Sequence, residues 1–295
     1  MKRKEIKAVV LALACAVAAG VATAASDAAE RFLSAARTAY ARAEYRDCTN
    51  SLVRACLPPG DVRADLPVPG GAILWHDVEG MVNVRDIGGW TGLRAGRVYR
   101  GSEPDCLPQE RLPAGKKCHD LNVTAAGAAY LRERLGVKTD LDLRQRSECP
   151  HPDRTALGDG VRLVRVPLTA YEGLFTDTNL YAQALRVFAD PANYPIYFHC
   201  WGGADRTGTI AFLLEGLCGV GEPELSVEYE LTSFCRRFGD RLRCDKAGGP
   251  PRYAALIRRV RQLPGSTMQA KIAYCMEHVL GLSAAEIAAI RANLR

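Results

Sequence analysis

His199 to Gly208, HCWGGADRTG, is the stretch from which the fold is read. The apolar run PIYF at 195–198 precedes it and the helix-like TIAFLLEGL at 209–217 follows, which predicts a strand, a tight glycine loop and a helix start. Five residues separate Cys200 from Arg206, so the backbone N–H groups of Trp201, Gly202, Gly203, Ala204 and Asp205 can curl around one tetrahedral anion. The Arg206 guanidinium then closes the ring with two parallel hydrogen bonds. Such a loop is a cradle for phosphate with a thiol at its base.

Outward from the loop, strand and helix patterns alternate. VKTDLDLR at 137–144 reads as a strand in which Asp140 and Asp142 share one side, Leu141 and Leu143 the other. VRLVRVPL at 161–168 is a second strand and TDTNLYAQALRVFAD at 176–190 a helix. Further upstream, MVNVRDIGGW from Met81 and GRVYRGS at 96–102 are short β-type runs bounded by glycine. In NVTAAGAAYLRERLG, Thr124 caps a helix carrying Ala128, Leu131 and Leu135 on one face, stopped by Gly136. After Gly208 the pattern is helical at 208–218, 222–238, 251–262 and 267–280, and a last helix opens at Ser283 with Glu286 in the capping-box position. The class expected is α/β: a central, mainly parallel sheet flanked by helices, with a helical C-terminal part.

The 295 residues, 48% hydrophobic and 24% charged, suffice for one large domain with a sizeable core. Its first residues stand apart. MKRKEIK is a basic n-region, AVVLALACAVAAGV an apolar h-region and Ala22-Thr23-Ala24 a small-residue cleavage site, so residues 1–24 are expected to be a secretory signal cleaved near Ala24. The apolar run is short and Ala-rich for a bilayer span, so no stable membrane insertion is expected after cleavage. A lipoprotein anchor at Cys15 is the alternative, disfavoured by Ala12 where a larger aliphatic residue belongs. Residues 25–79 are expected to hold a helix over 27–46, with Phe32, Ala36, Ala39, Tyr40 and Ala43 on one face, and a Pro/Gly-rich irregular connector. Residues 80–295 are expected to form the one main domain, which carries the loop. The chain is expected to be secreted or periplasmic. Cleavage removes four cations and one anion, so the formal charge falls from +6 to +3, which excludes a strongly basic nucleic-acid-binding surface.

Eleven cysteines are many for a reduced compartment, and an exported chain can cross-link them. Spacing suggests the pairs Cys48–Cys56, Cys106–Cys118 and Cys235–Cys244, with Cys218–Cys275 tying two C-terminal helices; buried free thiols are the alternative. Cys149 is left over, and an oxidised bridge from it to Cys200 would protect a reactive thiol.

The loop chemistry follows from thiol acidity. A free thiol has a pKa of about 8.5, and the thiolate is the nucleophile. Inward N–H groups, a helix N-terminus and Arg206 all favour the anion at Cys200. The same donors hold phosphate oxygens and the charge of an in-line transition state. A cysteinyl-phosphate would form and then be hydrolysed, with one carboxyl group serving as acid and then as base. Gly202 and Gly203 permit the turns, Thr207 can donate to the sulfur, and His199 orders the loop. Trp201 offers a wall for a phenyl ring. The chemistry needs no cofactor and no metal, and the few histidines show no ligand spacing.

NVRDIGG at 83–89, VYRGS at 98–102, DLR at 142–144 with Glu148 following, and HCWGGADRTG at 199–208 together resemble the cysteine-dependent protein tyrosine/dual-specificity phosphatase superfamily, in its bacterial branch with NxRDxGG and HCxxGxDRTG motifs. The resemblance covers about residues 80–215. It implies a protein tyrosine phosphatase-like fold and phosphomonoesterase activity on a phosphorylated protein or a small phosphomonoester. It also implies Cys200 as nucleophile, Arg206 as the phosphate-binding arginine, and Asp205 and Asp142 as equal candidates for the general acid, with Asp177 behind them. The alternative for Asp142 is a structural pairing with an arginine such as Arg85 or Arg144. Some members carry Lys before the loop aspartate where this chain has Ala204. That departure points away from polyanionic inositol phosphates or phosphoinositides, which remain the alternative substrates. A non-catalytic module binding a phosphorylated ligand is the other alternative.

Overall fold

Alternation along the strands sorts side chains onto two faces, and each face has its own core. In the computed structural model, which describes residues 66–68, 71–112, 122–234 and 252–295, the first strands are β1 (Leu66–Val68), β2 (Gly71–Trp75), β3 (Arg85–Asp86) and β4 (Val98–Gly101). Helix α1 (Ala125–Ala129), prolonged by a π turn over Tyr130–Arg134, leads into β5 (Thr139–Asp142) and β6 (Arg162–Arg165). Then come α2 (Gly173–Thr176), α3 (Thr178–Ala189) and β7 (Ile196–His199). The chain ends in α4 (Arg206–Leu217), α5 (Glu222–Glu230), α6 (Arg252–Arg261), α7 (Met268–Tyr274) and α8 (Ala284–Leu294). The expected leader, the helix over 27–46 and the pairs Cys48–Cys56 and Cys235–Cys244 lie outside the described residues, as does Cys118.

The sheet order is β1-β2-β3-β4-β7-β5-β6. β7 lies between β4 and β5 and is parallel to both, and β5 is parallel to β6. The half that carries the loop is therefore parallel, as expected, while β1 to β4 pair antiparallel and make the sheet mixed. The hairpin β1–β2 corrects the reading of residues up to 79 as an irregular connector. Pro67 fits there because β1 is an edge strand, where a missing N–H costs no ladder bond on the outer side.

On β7, Ile196 and Phe198 join the large core with Leu141, Phe188 and the C-terminal helices, and Tyr197 joins a smaller one with Tyr99, Val84 and Leu131. Helix α4 is covered on every side, from Thr207 to Leu217, because it runs between the sheet and the C-terminal helices. Gly216 sits where a Cβ would come 2.2 Å from Ile272, so the absence of a side chain allows α7 to approach. Thr124 accepts from the Gly127 N–H, and Ser283 and Glu286 form the expected reciprocal cap on α8. Among the described residues, no helix is long and apolar enough to cross a membrane.

The expected bridge Cys218–Cys275 is absent: both are buried free thiols, one beside Arg295 and the other facing Arg259. Cys149 and Cys200 are free as well.

Candidate active site

Strand register assembles the site. At the C-terminal edge of the parallel strands, His199 is level with Gly101 of β4 on one side and Asp142 of β5 on the other, and Asp142 is level with Arg165 of β6. This is the edge at which open α/β sheets bind ligands, and the loop 200–205 crosses it into α4.

The loop is fastened from outside by its carbonyls. Asn83 Nδ2 donates to the Gly202 and Gly203 carbonyls at 3.0 and 3.2 Å, and Arg100 Nη2 donates to the Gly203 carbonyl at 2.6 Å. Gly203 has φ +66 and a Cβ there would lie 2.1 Å from the Gly101 carbonyl oxygen, so only glycine fits. Behind these donors Glu228 of α5 bridges Arg85 and Arg100 at 2.8 and 3.0 Å. Arg85 also donates to Asn83 Oδ1, holding the residue whose own backbone is left-handed at φ +61. With its carbonyls turned outward, the loop leaves the N–H groups of Gly202, Gly203 and Ala204 without an acceptor among the described residues. They form a set of donors suited to an anion.

Cys200 is buried beneath them. Burial alone would push its thiol up, but the Arg206 charge and the Thr207 hydroxyl and N–H facing the sulfur outweigh it and hold the pKa below the ordinary thiol value. Arg206 is in turn gripped by Glu148, Nη1 to Oε2 at 2.6 Å and Nη2 to Oε1 at 3.0 Å, a two-point clamp that orients the guanidinium plane. Glu148 is fixed by the Gln145 N–H in a capping box of its own. Three of the other described thiols go the opposite way: burial pushes Cys149 up to about 12, Cys218 to about 11 and Cys275 to about 12. Iodoacetate at pH 7 is therefore expected to alkylate Cys200 ahead of these three, as read by peptide mass spectrometry. The rate should fall on acidification as the thiolate is protonated, and vanadate should slow it. Equal labelling of the four would contradict the cradle.

The candidate acids separate clearly. Asp142 and Asp140 do share a face, both turned toward His199. Asp142, however, is saturated: Arg144 reaches it through its backbone N–H, Nε and Nη2, and Arg165 through Nε and Nη2. Burial favours its neutral form, but His199, Arg144 and Arg165 outweigh burial and hold the carboxyl far below the usual carboxylate range. An aspartate so held has no proton to give near neutral pH, and the pairing with Arg144 is its place. Arg144 also binds Glu103 at 2.9 Å and Asp105 at 2.8 Å, and burial pushes Glu103 up to about 8. His199 lies 3.0 Å from Asp140; burial lowers its pKa, but Asp142 and Asp140 outweigh burial and hold it above the ordinary imidazole value.

Asp205 stands at the N-cap of α4 with a half-buried carboxylate that accepts from the Tyr171 hydroxyl. Asp177 stands at the N-cap position of α3 without a side-chain cap bond, and its Oδ1 accepts from Thr176 Oγ1 at 3.4 Å. Trp201 is half-buried with its carbonyl accepting from the Glu103 N–H at 3.0 Å, and Ala204 is buried. Among the described residues no group of His, Cys, Asp and Glu is placed to hold a metal ion.

Glu228, Arg100, Glu148 and Tyr171 were not among the site residues read from the sequence. Arg100 and Glu148 lay within the quoted motifs. Glu228 and Tyr171 carry no local signal.

A depressed thiol at the foot of an anion loop, beside a clamped arginine on the parallel edge of an α/β sheet, defines a protein-tyrosine-phosphatase-like cysteine phosphatase. The chain belongs to the tyrosine phosphatase family, whose sequence profile matches residues 76–295. It is similar to a Cupriavidus necator protein named as a tyrosine-protein phosphatase, 26% identical over 209 residues, covering 59% of this chain and 69% of that protein. It is also similar to a tyrosine-protein phosphatase of Nostoc commune, 34% identical over 121 residues but only 34% of this chain and 41% of that one. Among solved structures, the core catalytic domain of the PP-IP phosphatase Siw14 from S. cerevisiae, in complex with citrate, matches at 22% identity and a TM-score of 0.36, over 55% of this chain and 85% of that chain. Likeness at that level leaves the fold to be argued from this chain's own strands.

Proposed function

We propose that this chain is an exported phosphomonoesterase, a tyrosine or dual-specificity phosphatase working through a cysteinyl-phosphate intermediate, with phosphorylated proteins and small phosphomonoesters as substrates. The observation that carries the reading is the depressed Cys200 thiol beside the Glu148-clamped Arg206. In the first step the thiolate attacks in line, the ester P–O bond breaks, and Asp205 protonates the leaving oxygen. In the second, water attacks phosphorus, the S–P bond breaks with Thr207 donating to the sulfur, and Asp205 takes the proton back. Arg206 and the loop N–H groups hold the equatorial oxygens through both steps. Asp142 serves to hold Arg144 and Arg165. Ala204 keeps extra positive charge out of the loop, which favours singly phosphorylated substrates over polyanions.

The test is hydrolysis of p-nitrophenyl phosphate, phosphotyrosine and phosphoserine peptides and inositol hexakisphosphate, without added metal and with vanadate as inhibitor. Asp205→Asn is expected to lose about 100-fold or more in kcat on phenyl phosphate and far less on 2,4-dinitrophenyl phosphate, whose phenolate leaves without a proton. Equal losses on both would place the acid elsewhere, and preference for inositol hexakisphosphate would overturn the substrate class. Export is tested by N-terminal sequencing of the mature protein outside the cytoplasm, expected to begin after Ala24.

A further inference from the structure

An aspartate at a helix N-cap ordinarily folds its carboxylate back onto the second or third helical N–H. Asp205 does not: it makes no side-chain cap bond, and its backbone carbonyl alone accepts from the Thr209 N–H at 2.9 Å and from Thr209 Oγ1 at 2.9 Å. The carboxylate is drawn instead toward Tyr171, whose hydroxyl donates to Oδ1.

Tyr171 is itself held against its preference. Its φ is +56, in the left-handed region that bulky side chains avoid and that persists where the surroundings over-determine it. Two anchors among the described residues maintain it. Its N–H donates to Thr209 Oγ1 at 3.2 Å, tying the backbone to the first turn of α4, and its buried hydroxyl lies 2.8 Å from the Tyr229 hydroxyl. Since Tyr171 donates to Asp205, Tyr229 is the donor between the two tyrosines. The Tyr229 ring is stacked flat on Tyr253, centroids 4.0 Å apart and planes 1° from parallel, and Tyr253 donates to the Leu225 carbonyl at 2.8 Å. The result is a braced line from α6 through α5 to the carboxylate of Asp205.

We infer that Tyr171 is a positioning residue for Asp205, its hydroxyl fixing Oδ1 so that the proton given to the leaving group, and taken back from water, rides on Oδ2. The inference rests on the reading of Asp205 as the proton donor. Tyr171 keeps its own proton throughout. In the first step the S–P bond forms, the ester P–O bond breaks and the Oδ2 proton passes to the leaving oxygen. In the second the water O–P bond forms, the S–P bond breaks and a water proton returns to Oδ2. Oδ1 accepts from Tyr171 whether or not Oδ2 carries a proton, so the carboxyl need not reorient between steps.

The test is Tyr171→Phe, which keeps the ring and removes only the hydroxyl. On phenyl phosphate kcat is expected to fall about 10- to 100-fold with KM within roughly twofold, and on 2,4-dinitrophenyl phosphate by no more than about threefold. The double variant Tyr171→Phe/Asp205→Asn should be no slower than Asp205→Asn, because the hydroxyl acts through the carboxylate. A loss equal on both substrates, a change carried by KM, or additive losses in the double variant would show a structural role and overturn the inference. If Asp205→Asn alone lacks leaving-group dependence, the reading of Asp205 has failed instead, and the inference with it. Should Tyr171→Phe lose its thermal unfolding transition, Tyr229→Phe, which frees Tyr171 from its other hydroxyl partner, carries the same test. Its loss should be smaller and confined to phenyl phosphate; an equal loss on both substrates would overturn the inference.

Discussion

Cys200→Ser is expected to retain its fold, to bind the phosphotyrosine peptide of the proposed reading within a few-fold of the original affinity, and to lose about 10⁴- to 10⁶-fold in kcat. The asymmetry follows from how the loop divides its labour. Binding comes from Arg206, from the Glu148 clamp and from the N–H groups of the loop, none of which the substitution touches. Nucleophilicity comes from a thiolate that Arg206 and Thr207 stabilise against burial. The same surroundings cannot ionise a serine hydroxyl, whose anion lies several further powers of ten out of reach at neutral pH. Titration calorimetry against a phosphotyrosine peptide, with initial rates on p-nitrophenyl phosphate, separates the two quantities. A variant keeping more than about a hundredth of the original turnover would remove the cysteinyl-phosphate route.

Arg144→Met is expected to lower stability by about 3–5 kcal/mol, enough to unfold many domains of this kind. Arg144 is buried and binds Glu103, Asp105 and Asp142 at once. Methionine can fill the space but supplies no side-chain donors, leaving three carboxyl groups around an apolar stem with Arg165 and the more distant His199 still on Asp142. The pH dependence has a definite sign. Asp142 is depressed in the folded protein, so its contribution is fully present above the unfolded value near 4 and is lost as pH falls through the folded one. The gap between the two proteins should therefore be widest near neutrality and narrow as pH falls from about 4 toward the depressed Asp142 value, where the folded protein's carboxyl takes up its proton and no longer needs the cation. Urea unfolding at several pH values measures it, and a gap independent of pH would mean that volume, not charge, is what Arg144 supplies.

Much of the framework was legible because its causes are local. Thr124 before an apolar stripe, Gly136 after it, and Ser283 with Glu286 three residues later are capping signals that act within one turn, and the helices begin and end there. HCWGGADRTG after PIYF could be read as strand, loop and helix for the same reason. Asp140 and Asp142 were placed on one face by alternation alone. What alternation could not decide is which neighbour meets that face: Arg165, brought level from β6 by sheet register, reaches Asp142, and this pairing is what favours the reading of Asp142 as a structural partner in the proposed reaction. Glu228 and Tyr171 reach the loop across large separations in sequence, so no window along the chain contains their partners. The hairpin at Leu66–Val68 was masked by its prolines and glycines, which mark turns in most settings and edge strands in this one. Cys218 and Cys275 both fall in helices near the C-terminus, but spacing says nothing about the direction in which a thiol points.

The fastening of the loop by Asn83, Arg100 and Glu228 also governs when reactivity appears. Glu228 belongs to a helix made after the loop itself, and Arg100 to a strand made long before it. Contacts so far apart in sequence are among the last to close as a chain folds. Until they do, the glycines are unconstrained, Arg206 has no fixed plane, and Cys200 is an ordinary thiol, largely protonated and slow to react. The nascent chain is thus expected to be chemically quiet, with its sulfur becoming a nucleophile as the fold around it is completed; slower iodoacetate labelling of Cys200 in urea than in buffer at pH 7 would show it.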